Sequence, residues 1–151
     1  MALYLVQHGR SLPQEVDPER GLSDEGRAEV ERIAGVAKGY GVTVASIMHS
    51  GKKRARQTAE ILSSHLNPAQ AVSPSSGMGP MDDVEPWVKK LDCAANLMLV
   101  GHLPFLERLL SRLIIGKPEP LLFKLQNGGI VCLDRRGDAW FIRWALMPHI
   151  D

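Results

Sequence analysis

Apolar positions along the chain follow two alternating kinds of pattern. Leu3-Tyr4-Leu5-Val6 is an unbroken apolar run that predicts a buried strand, and Gly9 punctuates its end. A polar loop with Pro13, Pro18 and Gly21 follows. Ser23 then predicts a helix N-cap, with Asp24 and Glu25 suited to the positive end of the helix dipole. Val30, Ile33, Ala34 and Ala37 recur at i, i+3, i+4 and i+7, one buried helix face, which Gly39 and Gly41 stop. Residues 44–48 predict a second strand, and Ala55, Ala59, Leu62 and Leu66 a second amphipathic helix that Pro68 terminates. Residues 73–80, rich in Ser, Gly and Pro, predict a surface loop. Val84, Trp87, Val88 and Leu91 predict a short third helix, and residues 96–100 another buried strand ending at Gly101-His102. Pro104 suits a first helical turn ahead of the core-facing Phe105, Leu106, Leu109, Leu110 and Leu113. Residues 129–133 and 140–144 flank Arg135-Arg136-Gly137-Asp138, a hairpin signal.

Strands alternating with helices predict an α/β fold, a three-layer α/β/α sandwich on a mainly parallel sheet, with the closing hairpin adding an antiparallel edge. Ligands in such sheets bind beyond the carboxyl ends of the strands, where His8 and His102 both stand. With 151 residues, no repeat and no linker, one domain over 1–151 is expected. The apolar runs are too short to cross a bilayer, and the start lacks the length and basic leader of a signal peptide, so a cytoplasmic protein is expected. Cys93 and Cys132 are expected to be reduced thiols. A net charge of +1 gives no broad field for nucleic acid or an anionic membrane, yet the basic residues cluster locally.

That cluster and the histidines are the candidate chemistry. From position alone, His8 reads more readily as a hydrogen-bonded structural residue than as one projecting into a crevice. Lys52, Lys53, Arg54 and Arg56 open a helix, where cations oppose the dipole. A run of this kind is commonly a solvated face, but an anion at the helix N-terminus would offset the repulsion. A zinc site on His8 and His102 lacks a third ligand.

The motifs around these residues carry a resemblance. Leu5-Val6-Gln7-His8-Gly9 resembles the R-H-G signature of the histidine phosphatase superfamily, and residues 50–59, Ser50 through Ala59, its S-P-x-x-R-A-x-Q-T-A segment. Gly101-His102 resembles its G-H motif. Asp17, Arg20, Leu22, Ser23 and Gly26 are similar to the D-x-x-R-x-L-S-x-x-G segment of its short SixA-type phosphohistidine phosphatases. The ending, from Phe123-Lys124-Leu125 through Trp140 and Trp144 to Pro148, is also similar to theirs. The resemblance implies a phosphoglycerate mutase-like fold and a catalytic set of His8 as nucleophile, Arg54 and His102. It places Gly9, Arg20 and the residue before the nucleophile, here Gln7, around the bound phosphoryl group, with no metal and no cofactor, and Arg10 is added as a further candidate contact. The implied substrate is a phosphorylated histidine phosphotransfer protein, with inorganic phosphate as product and a monomeric enzyme. A small phosphomonoester as substrate, or a phosphate- or phosphoprotein-binding module without catalysis, are the alternatives.

Three departures from the family pattern bear on mechanism. Gln7 replaces the arginine before the nucleophile, which removes a charge and a bidentate fork. Arg10 stands where an acidic or polar residue is usual and is a candidate replacement charge, or else an ordinary surface arginine. Gly51-Lys52 replaces Pro-Leu, with His49 as a candidate border of the site. No general acid is evident: Asp82, Asp83 and Glu85 lie in the right region, but helix capping is the expected role of the two aspartates. His65 and His149 are expected at the surface.

Overall fold

The computed structural model describes residues 1–150. Six strands, β1 (Leu3–Gln7), β2 (Ser46–His49), β3 (Ser73–Pro74), β4 (Leu97–Gly101), β5 (Ile130–Arg136) and β6 (Ala139–Leu146), form one sheet in the order β3-β2-β4-β1-β5-β6. The first four strands in that order run parallel, while β5 is antiparallel to both β1 and β6. Four helices, α1 (Asp24–Gly39), α2 (Lys53–Leu66), α3 (Glu85–Lys90) and α4 (Phe105–Ile115), lie between the strands in sequence. Alternation along β1 sorts them onto two faces. Tyr4 and Val6 pack in one cluster with α1 and α2, whereas Leu3 and Leu5 pack in another with α3 and α4. The result is the expected α/β/α sandwich. Among the described residues no helix is long and apolar enough to cross a membrane.

Local signals explain where α1 begins. Ser23 Oγ accepts from the Gly26 backbone N–H at 3.0 Å, and Asp24 and Glu25 occupy the first turn. The chain after β1 presses hard against this turn. A Cβ on Gly26 would stand 2.1 Å from the Arg10 carbonyl oxygen, and one on Gly9 would stand 2.7 Å from Val30 Cγ2. Because the Gly26 contact is to backbone, Gly26→Ala is expected to cost roughly 1–3 kcal/mol by overpacking, read as a lowered urea midpoint.

The structure departs from the sequence pattern in two places. Ser73–Pro74, expected as loop, forms a two-residue edge strand paired with Met48 and His49. Proline is tolerated at a sheet edge, and so short a ladder has no periodicity to read. Pro104 is the N-cap of α4, one step before the helical turn in which it was expected.

Candidate active site

Two neighbouring strands deliver the histidines. β1 and β4 pair in parallel with Gln7 opposite Gly101, so His8 and His102 leave the same sheet edge side by side, ring centroids 5.0 Å apart. The backbone at His8 is clamped: its N–H donates to the Gly101 carbonyl at 3.0 Å, and Asn127 Nδ2 donates to its own carbonyl at 2.9 Å. The His8 ring is held by the Gly9 carbonyl, 2.7 Å from Nδ1. This bond places the proton on Nδ1 and leaves the Nε2 lone pair free. Burial, reinforced by Arg54 and Arg20, lowers the His8 pKa to about 4 against the Gly9 bond, which raises it. His102 is 1% exposed and its pKa is lowered to about 3, by burial first and then by His8, Arg54, Lys52 and Arg20. Both rings are therefore neutral at pH 7. Each binds protons more weakly folded than unfolded, so their contribution to stability is complete above about pH 6.5 and declines as pH falls toward 4.

The basic run at the start of α2 splits into two kinds of residue. Lys53 Nζ pairs with Asp17 Oδ2 at 3.0 Å, and Arg56 lies 3.8 Å from Glu60. Lys52 and Arg54 have no carboxylate partner among the described residues, and neither has Arg20. Burial and then Arg20 lower the pKa of Arg54, so its charge is held against repulsion. The α2 N-terminus has no side-chain cap and no acid in its first turn. Arg20 sits in left-handed backbone (φ 53°) on a loop that Asp17 organises by accepting from the Glu19 and Gly21 N–H groups. The Lys53–Asp17 pair ties that loop to α2, bringing Arg20 toward the histidines.

Three residues at or next to this edge carry a buried side-chain atom without a hydrogen-bond partner: Arg54 Nε, His102 Nδ1 and, one position before His8, Gln7 Oε1. Buried orphans are uncommon, and a cluster of them marks a missing partner. Gln7 is 9% exposed and its side chain makes no hydrogen bond to the protein, leaving its amide N–H groups as the donating end.

Other candidates are engaged elsewhere. The Arg10 guanidinium forms a fork on Glu29 (2.8 and 2.9 Å) and reaches Glu25 at 3.1 Å, so it has no free charge to replace an arginine at position 7. Asp82 accepts from the Gly79 N–H at 2.7 Å, Asp83 from the Glu85 N–H at 3.0 Å, and Glu85 forks with Arg112. Neither aspartate is the cap expected of it: the N-cap of α3 is Val84, with no side-chain cap bond, Asp83 lies one residue before it in a local turn onto the Glu85 N–H, and Asp82 holds a loop. His49 is buried, its Nδ1 accepting from the Gly51 N–H, where φ is +91°. His65 pairs with Glu31. His149 is exposed, as expected, but it also binds the buried Glu29 and exchanges hydrogen bonds with Gln126, an arrangement that only folding assembles.

Two positioning residues had no role assigned from sequence. Ser50 Oγ lies 2.6 Å from His102 Nε2. Thr58 Oγ1 accepts from the Gly9 N–H at 2.9 Å and donates to the Arg54 carbonyl at 2.8 Å, linking the His8 loop to α2. Their signal was present in the S-x-x-x-R-A-x-Q-T-A spacing, which puts Arg54 and Thr58 one turn apart.

Comparisons with known proteins agree with this geometry. The profile of the histidine phosphatase superfamily (branch 1) matches residues 3–77. The chain is 27% identical to the phosphohistidine phosphatase SixA of Escherichia coli (strain K12), across 98% of this chain and 94% of that protein. It is 30% identical to an uncharacterised protein of Picosynechococcus, across 92% and 87% of the two chains. Its fold superposes on a solved protein histidine phosphatase SixA complexed with tungstate at a TM-score of 0.84, with 23% identity over 98% of this chain and 97% of the other. With its motifs in order on one sheet edge and its relatives matched end to end, the chain belongs to the histidine phosphatase superfamily.

Proposed function

We propose that the protein is a metal-independent phosphohistidine phosphatase acting on a histidine phosphotransfer protein, with His8 as the covalent carrier. The observation that carries this reading is the convergence of three uncompensated cations on a histidine held neutral, at a site with orphaned buried polar atoms. A bound anion would give Arg54 Nε and the unpaired cations their missing partner. The SixA relative complexed with tungstate, a tetrahedral oxyanion, supports phosphate as that anion.

In the first step the His8 Nε2 lone pair attacks phosphorus and the bond to the substrate imidazole nitrogen breaks, that nitrogen taking its proton from solvent. Arg54, Arg20 and the open N–H groups of α2 hold the equatorial oxygens. In the second step water attacks phosphorus, the His8–phosphorus bond breaks, and phosphate leaves with the neutral ring restored. His102 is neutral in the empty site; a phosphate dianion beside it favours its protonated form, and Ser50 keeps it in place. The three acidic residues in the region expected of a general acid are occupied by structural contacts. A phosphoramidate, whose nitrogen can be protonated from solvent, suits such a site better than an alkyl ester.

The test is phosphate release from a phosphorylated histidine phosphotransfer domain, set against a panel of small phosphomonoesters. Faster release from the phosphoprotein is expected. Preference for the esters would transfer the reading to a metabolite phosphatase, and no turnover on either would leave a binding module.

Two further outcomes follow from the site. An NMR titration of the ligand-free protein is expected to place His8 near 4, and the acid limb of kcat/KM correspondingly well below 6.5. A midpoint at 6.5 would show the ring to be solvated. Gln7→Arg is expected to raise kcat/KM roughly ten- to hundredfold, equivalent to the ~1–3 kcal/mol of one charge-assisted contact. A cavity of about 290 Å³ beside Gln7 and Leu103 gives the longer side chain room. Unchanged kinetics would show that position 7 does not touch the phosphoryl group.

A further inference from the structure

A second cavity, of about 630 Å³, opens on the α1 face of the sheet, toward the end of β1 remote from His8. Its origin is geometric. Two helices about 10 Å wide cover about four strands spaced ~4.8 Å apart, so a six-stranded sheet leaves one side of this face without a helix. The uncovered side is that of β5 and β6, where Trp144 and Leu146 are only partly buried. The Tyr4 and Trp144 rings meet there at 6.0 Å with a 52° tilt, beside the buried Cys132, and Tyr40 stands at the wall, 83% exposed. Arg143 lines the same cavity; its Nη1 lies 3.5 Å from Asp134, too far to use more than a fraction of its five donors. Burial raises the Tyr4 phenol and lifts the Cys132 thiol to about 11, and the Arg143 charge opposes both rises. Its positive potential therefore reaches the cavity floor.

We propose that this cavity binds a small molecule with a flat aromatic ring system and one anionic group, the ring against Tyr4, Tyr40 and Trp144 and the anion at Arg143. The volume falls within the range of small-molecule sites, and an apolar, aromatic lining with one convergent charge is their usual composition. Tyrosine and tryptophan faces stack on a planar ring. The guanidinium supplies orientation, because it can serve a carboxylate, sulfonate or phosphate while Asp134 keeps its partial contact. The site is independent of the reaction at His8.

The probe is 1-anilinonaphthalene-8-sulfonate, which carries one aromatic system and one sulfonate. Titrated into the folded chain, it is expected to fill one saturable site, with affinity reduced at least fivefold by Tyr40→Ala and by Arg143→Ala. Both side chains are exposed enough to change without unfolding the protein, which thermal melts of each variant would verify. Arg54→Ala is expected to leave dye binding unchanged. Absence of saturable binding, full affinity in either cavity variant, or loss of binding in Arg54→Ala would overturn the proposal. So would dye binding that appears only with dimerisation in sedimentation, since the face would then serve a second copy.

Discussion

Replacing His8 with alanine is expected to lower kcat/KM for the phosphorylated substrate by about four to six orders of magnitude, the scale seen when a covalent nucleophile is removed. The geometry leaves no substitute. The Gly9 carbonyl fixes the Nδ1 proton of His8, so Nε2 presents its lone pair without rotation, and burial keeps that lone pair unprotonated at neutral pH. His102, the neighbouring imidazole, has its Nε2 held by Ser50 and its Nδ1 buried, and His49 at the end of β2 is buried with its Nδ1 engaged by the Gly51 N–H. Removing the ring should leave the fold intact, because the His8 contacts that hold the chain are made by its backbone to Gly101 and Asn127. The decisive readout is acid-labile phosphate on the protein after brief mixing, present in wild type and absent in His8→Ala. Persistent labelling at another residue would remove His8 from the mechanism.

Arg54→Ala is expected to divide activity and stability in opposite directions. Removing an arginine that stabilises a transferring phosphoryl group costs about 10³ to 10⁵ in rate where such groups have been measured. The proposed mechanism gives Arg54 that role, and it stands at the second position of α2 with its Nε buried and unpartnered. The same burial, together with Arg20, makes its charge unfavourable in the empty protein. The alanine variant should therefore melt no lower than wild type, and at a higher temperature if repulsion outweighs the lost packing. Added tungstate should raise the wild-type midpoint and barely move that of the variant. Arg54→Lys should fall between, since it restores the charge without the fork. A variant that melts lower, keeps its activity and still responds to tungstate would mark Arg54 as structural.

These outcomes separate what local pattern conveys from what contact creates. The order of strands and helices, the Ser23 cap, the hairpin around Gly137 and the placement of both histidines at strand ends were all legible in the sequence. Each depends on spacing within about ten residues, where side-chain period and capping chemistry act directly. The basic run at 52–56 shows the limit. Its four cations look alike in sequence, yet Asp17, 36 residues away from Lys53, neutralises that one while Arg54 is left bare. Arg10 likewise read as a free charge until α1 brought Glu29 and Glu25 against it. Ser50 finds His102 across 52 positions, and Asn127 finds the His8 carbonyl across 119. The sequence by itself therefore determined the architecture, the sheet edge that bears the site and the residue types gathered there. Only the tertiary structure decided which charges stay uncompensated and which ring nitrogen is free, because burial and partners distant in sequence set pKa values and proton positions.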